Sequence, residues 1–270
     1  MPVLVAAALL GVVQGLTEFL PVSSSAHLIL ARAFLGWDDR GFGLAFDVAT
    51  HVGTLLAILV YFREDVLGMV RALPRVVAGT DADARRARLI VIGTIPVVII
   101  GGLFADAIEA HTRTPQVAAV TLTVGALLFF LVERVSAQWR QDDRGMSVAQ
   151  ALVFGLAQTT ALVPGVSRSG STIIAGMLMG FTRAGAARFG FLLGIPAILA
   201  AAGKEALELR HTGLAPGDAT LFLVGGVSAF VVGYLAVRFF MRYLGANSLA
   251  VFAWYRLALA AAVVLWTVVR

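Results

Sequence analysis

The chain has 270 residues, of which 59% are hydrophobic and 14% charged. Soluble domains carry roughly a quarter of their residues as charges, so a surface facing water on every side is excluded. The formal charge of +5 does not signal nucleic acid, because the arginines fall between apolar runs and form no basic stripe; with no cysteine, disulfides and thiol chemistry are excluded too.

In chain order, the N-terminus is apolar from Val3 with no Lys or Arg before it, so it lacks the basic n-region of a cleaved signal peptide. Residues 3–20 run into Pro21-Val22-Ser23-Ser24-Ser25, and an apolar stretch resumes over 28–35. Spans are expected at about 44–62, 89–104 and 117–132, since each crossing needs about 20 apolar residues. The mixed charges Asp81, Asp83, Arg85, Arg86 and Arg88 between the first two of these spans read as a solvated loop. A second interrupted region follows: 149–163 runs into Pro164-Gly165-Val166-Ser167-Arg168-Ser169 and resumes over 173–179. A shorter span over 189–202, extended by 184–188, precedes two more at 221–239 and 249–268. Gly11/Gly15, Gly176/Gly180 and Gly190/Gly194 are GxxxG spacings that mark close helix packing.

No piece flanking a break is long enough to span comfortably. Each pair therefore reads as a re-entrant helix–loop–helix hairpin, and broken backbone at membrane depth requires protein or a wet cavity over it. The two breaks are expected to share one cavity. The halves also match: Gln14, Pro21 and Phe46 correspond to Gln158, Pro164 and Phe189, with 25 residues from Pro to Phe in both. The expected fold is an all-α polytopic membrane protein, one membrane domain with six spanning helices and two re-entrant hairpins. It is an inverted-topology repeat, the first copy about 1–137 and the second about 147–270. In that arrangement segments 63–88, 134–147, 181–188 and 238–247 share one face and hold thirteen basic residues. Arg32, Arg40, Arg113, Lys204, Arg210 and Arg270 fall on the other. The positive-inside rule makes the richer face cytoplasmic, so the Glu18 hairpin enters from outside and the Arg168 hairpin from inside.

The breaks carry the chemistry. Gln14 and Glu18 lie one turn apart on one helix face, and Glu18 is a carboxylate in apolar sequence, costly unless a cation answers it. Ser23 is placed to N-cap the following helix, with Ser24 and His27 one turn apart beyond it. Hydroxyl, imidazole and carboxylate together make a nucleophile and acid–base set. In the second break Ser167 caps a helix start that attracts phosphate, Arg168 adds a forked cation, and Ser169 and Thr172 add hydroxyls. Asp47 and His51 read as a local i,i+4 hydrogen bond, and Arg256 either lines the cavity or snorkels to the interface.

The runs Gln14-Gly15-Leu16-Thr17-Glu18-Phe19-Leu20-Pro21-Val22-Ser23-Ser24-Ser25-Ala26-His27 and Pro164-Gly165-Val166-Ser167-Arg168-Ser169-Gly170-Ser171-Thr172 closely resemble the two signatures of the undecaprenyl-diphosphatase (bacitracin-resistance) family. The resemblance extends over essentially the whole chain. It implies hydrolysis of undecaprenyl diphosphate to the monophosphate carrier lipid of cell-wall synthesis, in a bacterial plasma membrane, at a site opening to the periplasm. It also implies a divalent cation, Mg²⁺ or Ca²⁺, with Glu18 as a ligand, and a homodimer. By motif position the catalytic residues fall on Glu18, Ser24, His27 and Arg168. Gln14, Ser23, Ser167, Ser169 and Thr172 are left to bind substrate. Gln14 stands where some members carry a second glutamate, which removes one metal carboxylate, and Ala26 replaces the usual glycine. A secondary transporter or flippase is the rival reading, since broken helices in inverted repeats typify carriers. The other large class of membrane lipid phosphatases needs a histidine about six residues beyond its arginine, where this chain has Ile174.

Overall fold

The computed structural model describes residues 3–37, 42–136 and 145–269. Arg40, Arg270 and most of the 134–147 segment lie outside the described residues. Eleven α-helices and no strand occur among the described residues. They are α1 (Val3–Phe19), α2 (Ser24–Leu35), α3 (Leu44–Tyr61), α4 (Arg63–Ala72), α5 (Ala82–Thr112) and α6 (Pro115–Val135). The second run comprises α7 (Val148–Thr159), α8 (Arg168–Leu178), α9 (Arg183–Thr212), α10 (Asp218–Leu244) and α11 (Ala250–Val269).

Six of these, α3, α5, α6, α9, α10 and α11, are long and apolar enough to cross a bilayer, which makes the chain a multi-pass membrane protein. The helices beside the breaks are not: at 1.5 Å per residue, α2 and α8 reach only about 16–18 Å against a hydrocarbon core of about 30 Å. Side chains such as Leu103, Leu223 and Val251 remain exposed on the long helices, as a lipid-facing surface requires.

Local sequence sets the helix starts. Asp81 caps α5 by accepting from the Ala84 N–H, which holds its carboxyl below the usual range. Thr114 caps α6 ahead of Pro115, Ser147 and Gln150 form a capping box on α7, and Thr182 caps α9. The capped starts lie outside the apolar cores, so α5 and α9 extend well beyond the expected spans. The charge run 81–88 is consequently a correction: it caps and opens α5 instead of forming a loop. Arg86 bonds Asp65 at 2.9 Å, Arg85 the Met146 carbonyl at 2.9 Å, and Arg88 the carbonyls of Val76, Val77 and Gly79. On the same face Asp65 also takes Arg188 at 2.6 Å, and Arg183 pairs with Glu133, so ion pairs join the two halves of the chain there.

The glycine spacings separate by role. Gly11 and Gly15 lay α1 directly on the backbone of α10, where a Cβ on Gly11 would collide with the Gly225 carbonyl oxygen. Gly190 and Gly194 on α9 instead leave room for the side chains of Thr172 and Arg168. Gly180 lies in a turn after α8 with φ +97°, not in a helix–helix contact. Substituting Gly11→Val is expected to destabilise the fold by about 2–3 kcal/mol through forced separation of α1 and α10. An unchanged thermal unfolding midpoint in detergent would contradict that contact.

Candidate active site

Each break is built by one serine in the left-handed region. Ser23 (φ 71°, ψ 99°) and Ser167 (φ 73°, ψ 111°) are the two non-glycine residues with positive φ among the described residues. Such a conformation costs of order 1–3 kcal/mol and survives only where surrounding contacts enforce it. Those contacts are matched. Ser23 Oγ accepts from Ala26 N–H at 3.4 Å and lies 3.1 Å from Ser25 Oγ; Ser167 Oγ accepts from Gly170 N–H at 3.2 Å and lies 3.2 Å from Ser169 Oγ. The breaks then bond each other. Gly165 N–H donates to Ser25 Oγ at 3.4 Å, and Ser169 Oγ donates to the Leu20 carbonyl at 3.3 Å.

Arg256 on α11 fastens the junction. It is fully buried, so it neither lines the cavity nor snorkels. Its guanidinium donates to the carbonyls of Pro21 (3.2 Å) in the first break and of Gly165 (3.0 Å) and Val166 (3.3 Å) in the second. Two further bonds go to Thr121 and Leu122 of α6, and the cation lies 5.6 Å from the centre of the Phe129 ring. Gly125 supplies the space for it.

Above this junction lies a cavity of about 320 Å³. Glu18, Ser23, Ser24, Ser167 and Arg168 line its polar end. Ser24 Oγ donates to Glu18 Oε2 at 2.6 Å, and Gln14 Nε2 donates to the same oxygen at 2.9 Å from behind the carboxylate. Arg168 forms an ion pair with Glu18 Oε1 and bonds the Gly194 carbonyl at 3.3 Å. A break-to-break ion pair is therefore present, with a hydroxyl beside it.

Three expected members stand elsewhere. His27 does not join Ser24 and Glu18: although one turn from Ser24 on α2, its ring folds back on the first turn and stacks on Tyr255 of α11. Its Nδ1 donates to the Ser23 carbonyl at 2.7 Å, which leaves Nε2 to accept from the Tyr255 hydroxyl at 2.7 Å. Thr172 spends its hydroxyl on the Arg168 and Ser169 carbonyls of its own helix, and Ser169 serves the junction. Neither lines the cavity.

The imidazole that faces Glu18 is His51, with Nε2 3.4 Å from Oε2 and the ring on the cavity wall. Its Nδ1 bonds the Asp47 carbonyl at 2.7 Å, the local bond expected of the i,i+4 pair. The Asp47 carboxylate instead pairs with Arg32 and Arg113, and Arg113 with Glu109, forming a charged cluster where the end of α2, the start of α3 and the end of α5 meet, with Asp47, Glu109 and Arg113 at the cavity mouth. Leu28, Ile29, Val48, Val97 and Ile198 make an apolar flank between mouth and site. Gln158, buried on the same wall, was legible only as the counterpart of Gln14.

A carboxylate, hydroxyl and arginine in a cavity with an apolar flank suit an amphiphilic phosphate ester. The family model of bacitracin resistance protein BacA matches residues 7–262. This chain belongs to the BacA family. It is 48% identical over 264 residues to an undecaprenyl-diphosphatase of Rubrobacter xylanophilus, covering 96% of this chain and 97% of that one. It is 46% identical to undecaprenyl-diphosphatase 2 of Stutzerimonas stutzeri (93% and 94% covered) and 41% identical to undecaprenyl-diphosphatase 2 of Streptomyces coelicolor (93% and 90%).

Removing the Arg256 fork leaves carbonyls of both breaks without their donor. Arg256→Ala is expected to cost at least about 3 kcal/mol of stability, with Arg256→Lys intermediate. Thermal unfolding in detergent measures both, and a wild-type midpoint in Arg256→Ala would refute the fastening role.

Proposed function

We propose that this BacA-family chain hydrolyses undecaprenyl diphosphate to undecaprenyl phosphate and inorganic phosphate, recycling the carrier lipid of cell-wall synthesis. The observation that carries this reading is the 2.6 Å bond from Ser24 Oγ to a Glu18 carboxylate that also pairs with Arg168. One cavity then holds a nucleophile, a proton acceptor and an anion-binding cation. The apolar flank suits the first prenyl units beside the diphosphate.

In the proposed reaction the diphosphate draws Arg168 and the free N–H groups at the start of α8 onto its oxygens. Glu18, released from its ion pair, takes the proton as Ser24 Oγ, or a water in its place, attacks the terminal phosphorus. The bond from that phosphorus to the bridging oxygen breaks, and its electrons leave on the prenyl monophosphate. With Ser24 as nucleophile, water then cleaves the phosphoserine. Positioning and charge neutralisation supply most of the acceleration. His51 supports Glu18 from the cavity side.

A divalent cation, Mg²⁺ or Ca²⁺, belongs to the same proposal. Gln14 Oε1 is a buried acceptor without a partner beside Glu18, so these two residues would hold the ion, with phosphate oxygens and water completing its shell. Bound there, it would offset charge on the diphosphate.

The proposal places the chain in the bacterial plasma membrane as a homodimer of inverted repeats, 1–137 and 147–270, with both hairpins re-entrant. The matched serine caps and reciprocal break-to-break bonds support the repeat. The cavity mouth at Glu109 and Arg113 falls on the face with few basic residues, which supports a periplasmic opening. A carrier would need no nucleophile, and phosphate release by purified protein needs no gradient.

The test is phosphate release from prenyl diphosphate in detergent. Arg168→Ala is expected to lower kcat/KM by about 10²–10³-fold or more while the protein stays folded. His51→Ala is expected to lower activity more than His27→Ala. Normal turnover by Ser24→Ala would exclude the phosphoserine route, and a folded protein inactive on lipid diphosphates would overturn the assignment. EDTA is expected to suppress the activity and added Mg²⁺ to restore it.

A further inference from the structure

Gln14 and Gln158 hold corresponding places in the two halves, each nine residues before the positive-φ serine that caps the next helix. Gln14 spends its amide N–H on the carboxylate of Glu18, four residues on. The residue four beyond Gln158 is Leu162, so the second half has no carboxylate at that place. Gln158 is 2% exposed, and neither its Nε2 nor its Oε1 has a hydrogen-bond partner. A buried amide left this way is costly, and a selected sequence discards it unless something answers it. Both Gln158 and Leu162 lie on the wall of the cavity that holds Ser167 and Arg168. An anion is missing where the first half supplies its own.

We propose that Gln158 is a substrate-binding residue whose amide N–H turns to a phosphate oxygen of the bound diphosphate, the ligand supplying the anion that Glu18 supplies to Gln14. This rests on the diphosphatase reading and deepens it. Arg168 and Gln158 then grip the diphosphate from α8 and α7. The contact is made in ground state and transition state alike, so its loss falls on KM more than on kcat.

The experiment pairs steady-state phosphate release from farnesyl diphosphate with thermal unfolding of the full-length protein in detergent, with and without inorganic diphosphate. Gln158→Leu is close in volume and deletes both unpaired atoms. The expected result is a KM raised about tenfold or more with kcat within a few-fold. The unfolding midpoint of the free variant should equal or exceed the wild-type value, and the stabilisation by diphosphate should shrink. Gln158→Glu, which adds a like charge, should raise KM further and Gln158→Asn less, so the order across three variants holds even if one folds poorly. A wild-type KM and diphosphate shift in Gln158→Leu would overturn the proposal while leaving the diphosphatase reading intact. So would a lowered midpoint with unchanged KM, the signature of a purely structural amide. Conversely, a wild-type protein stabilised by diphosphate through Gln158 but releasing no phosphate would overturn the function and keep the binding site.

Discussion

A guanidinium answered by carbonyls, with no carboxylate beside it among the described residues, sits where two broken helices meet, and the rest of the site hangs on it. Broken backbone inside an apolar protein leaves carbonyls that water cannot reach. Arg256 gathers three of them, Pro21, Gly165 and Val166, onto one planar fork. Lysine presents a point charge and cannot span the same geometry. Because the bonded carbonyls lie just before the caps Ser23 and Ser167, fixing them also fixes the starts of α2 and α8. Those starts carry Ser24 and Arg168. A residue near the C-terminus therefore sets the relation between two groups that lie 144 positions apart in the chain.

The ion pair between Glu18 and Arg168 gains meaning in that frame. In the free protein each charge answers the other, and Ser24 and Gln14 complete the carboxylate's bonds. Burying such a pair contributes little net stability, since desolvation offsets the attraction. In the proposed reaction its consequence is an exchange: a phosphate group competing for Arg168 would remove the cation from Glu18, leaving it bonded to the hydroxyl it is to deprotonate. The lock and the chemistry use the same atoms. The charged cluster of Asp47, Arg32, Arg113 and Glu109 is, by contrast, internally paired and remains outside that exchange.

What the sequence disclosed follows the kind of signal each residue leaves. The breaks were legible because Pro21 and Pro164 interrupt apolar runs, and the need of Glu18 for a cation was legible from its apolar setting; that Arg168 is its partner emerges from packing of the two breaks. Span lengths were underestimated where polar caps such as Asp81 and Thr182 continue a helix beyond its apolar core. Proximity in sequence favours His27 as the imidazole beside Ser24, but in the fold its ring turns to Tyr255 and away from Glu18. His51 is 33 residues from Glu18 and meets it only through packing of α3. Thr172 and Ser169 read as phosphate donors because their hydroxyls are free in sequence; in the fold neighbouring carbonyls take them.

The two halves agree at the residues that build the breaks and differ at Ser24, Glu18 and Arg168. The caps Ser23 and Ser167 are the same residue type in the same geometry, and Ser25 and Ser169 both bond across to the other break, one as acceptor and one as donor. Between them the matched pairs diverge: Ser24 against Arg168, Glu18 against Leu162, His51 against Gly194. Each difference is complementary, not random. Gly194 opens the space and offers the carbonyl that Arg168 needs, and a side chain there would displace the guanidinium. Glu18 supplies the charge that Arg168 lacks on its own helix. On the proposed repeat, a duplicated scaffold delivers two equivalent helix starts to one cavity, and a bond-breaking site requires them to stop being equivalent. In the proposed reaction one start carries the attacking group at Ser24 and the other holds the anion at Arg168.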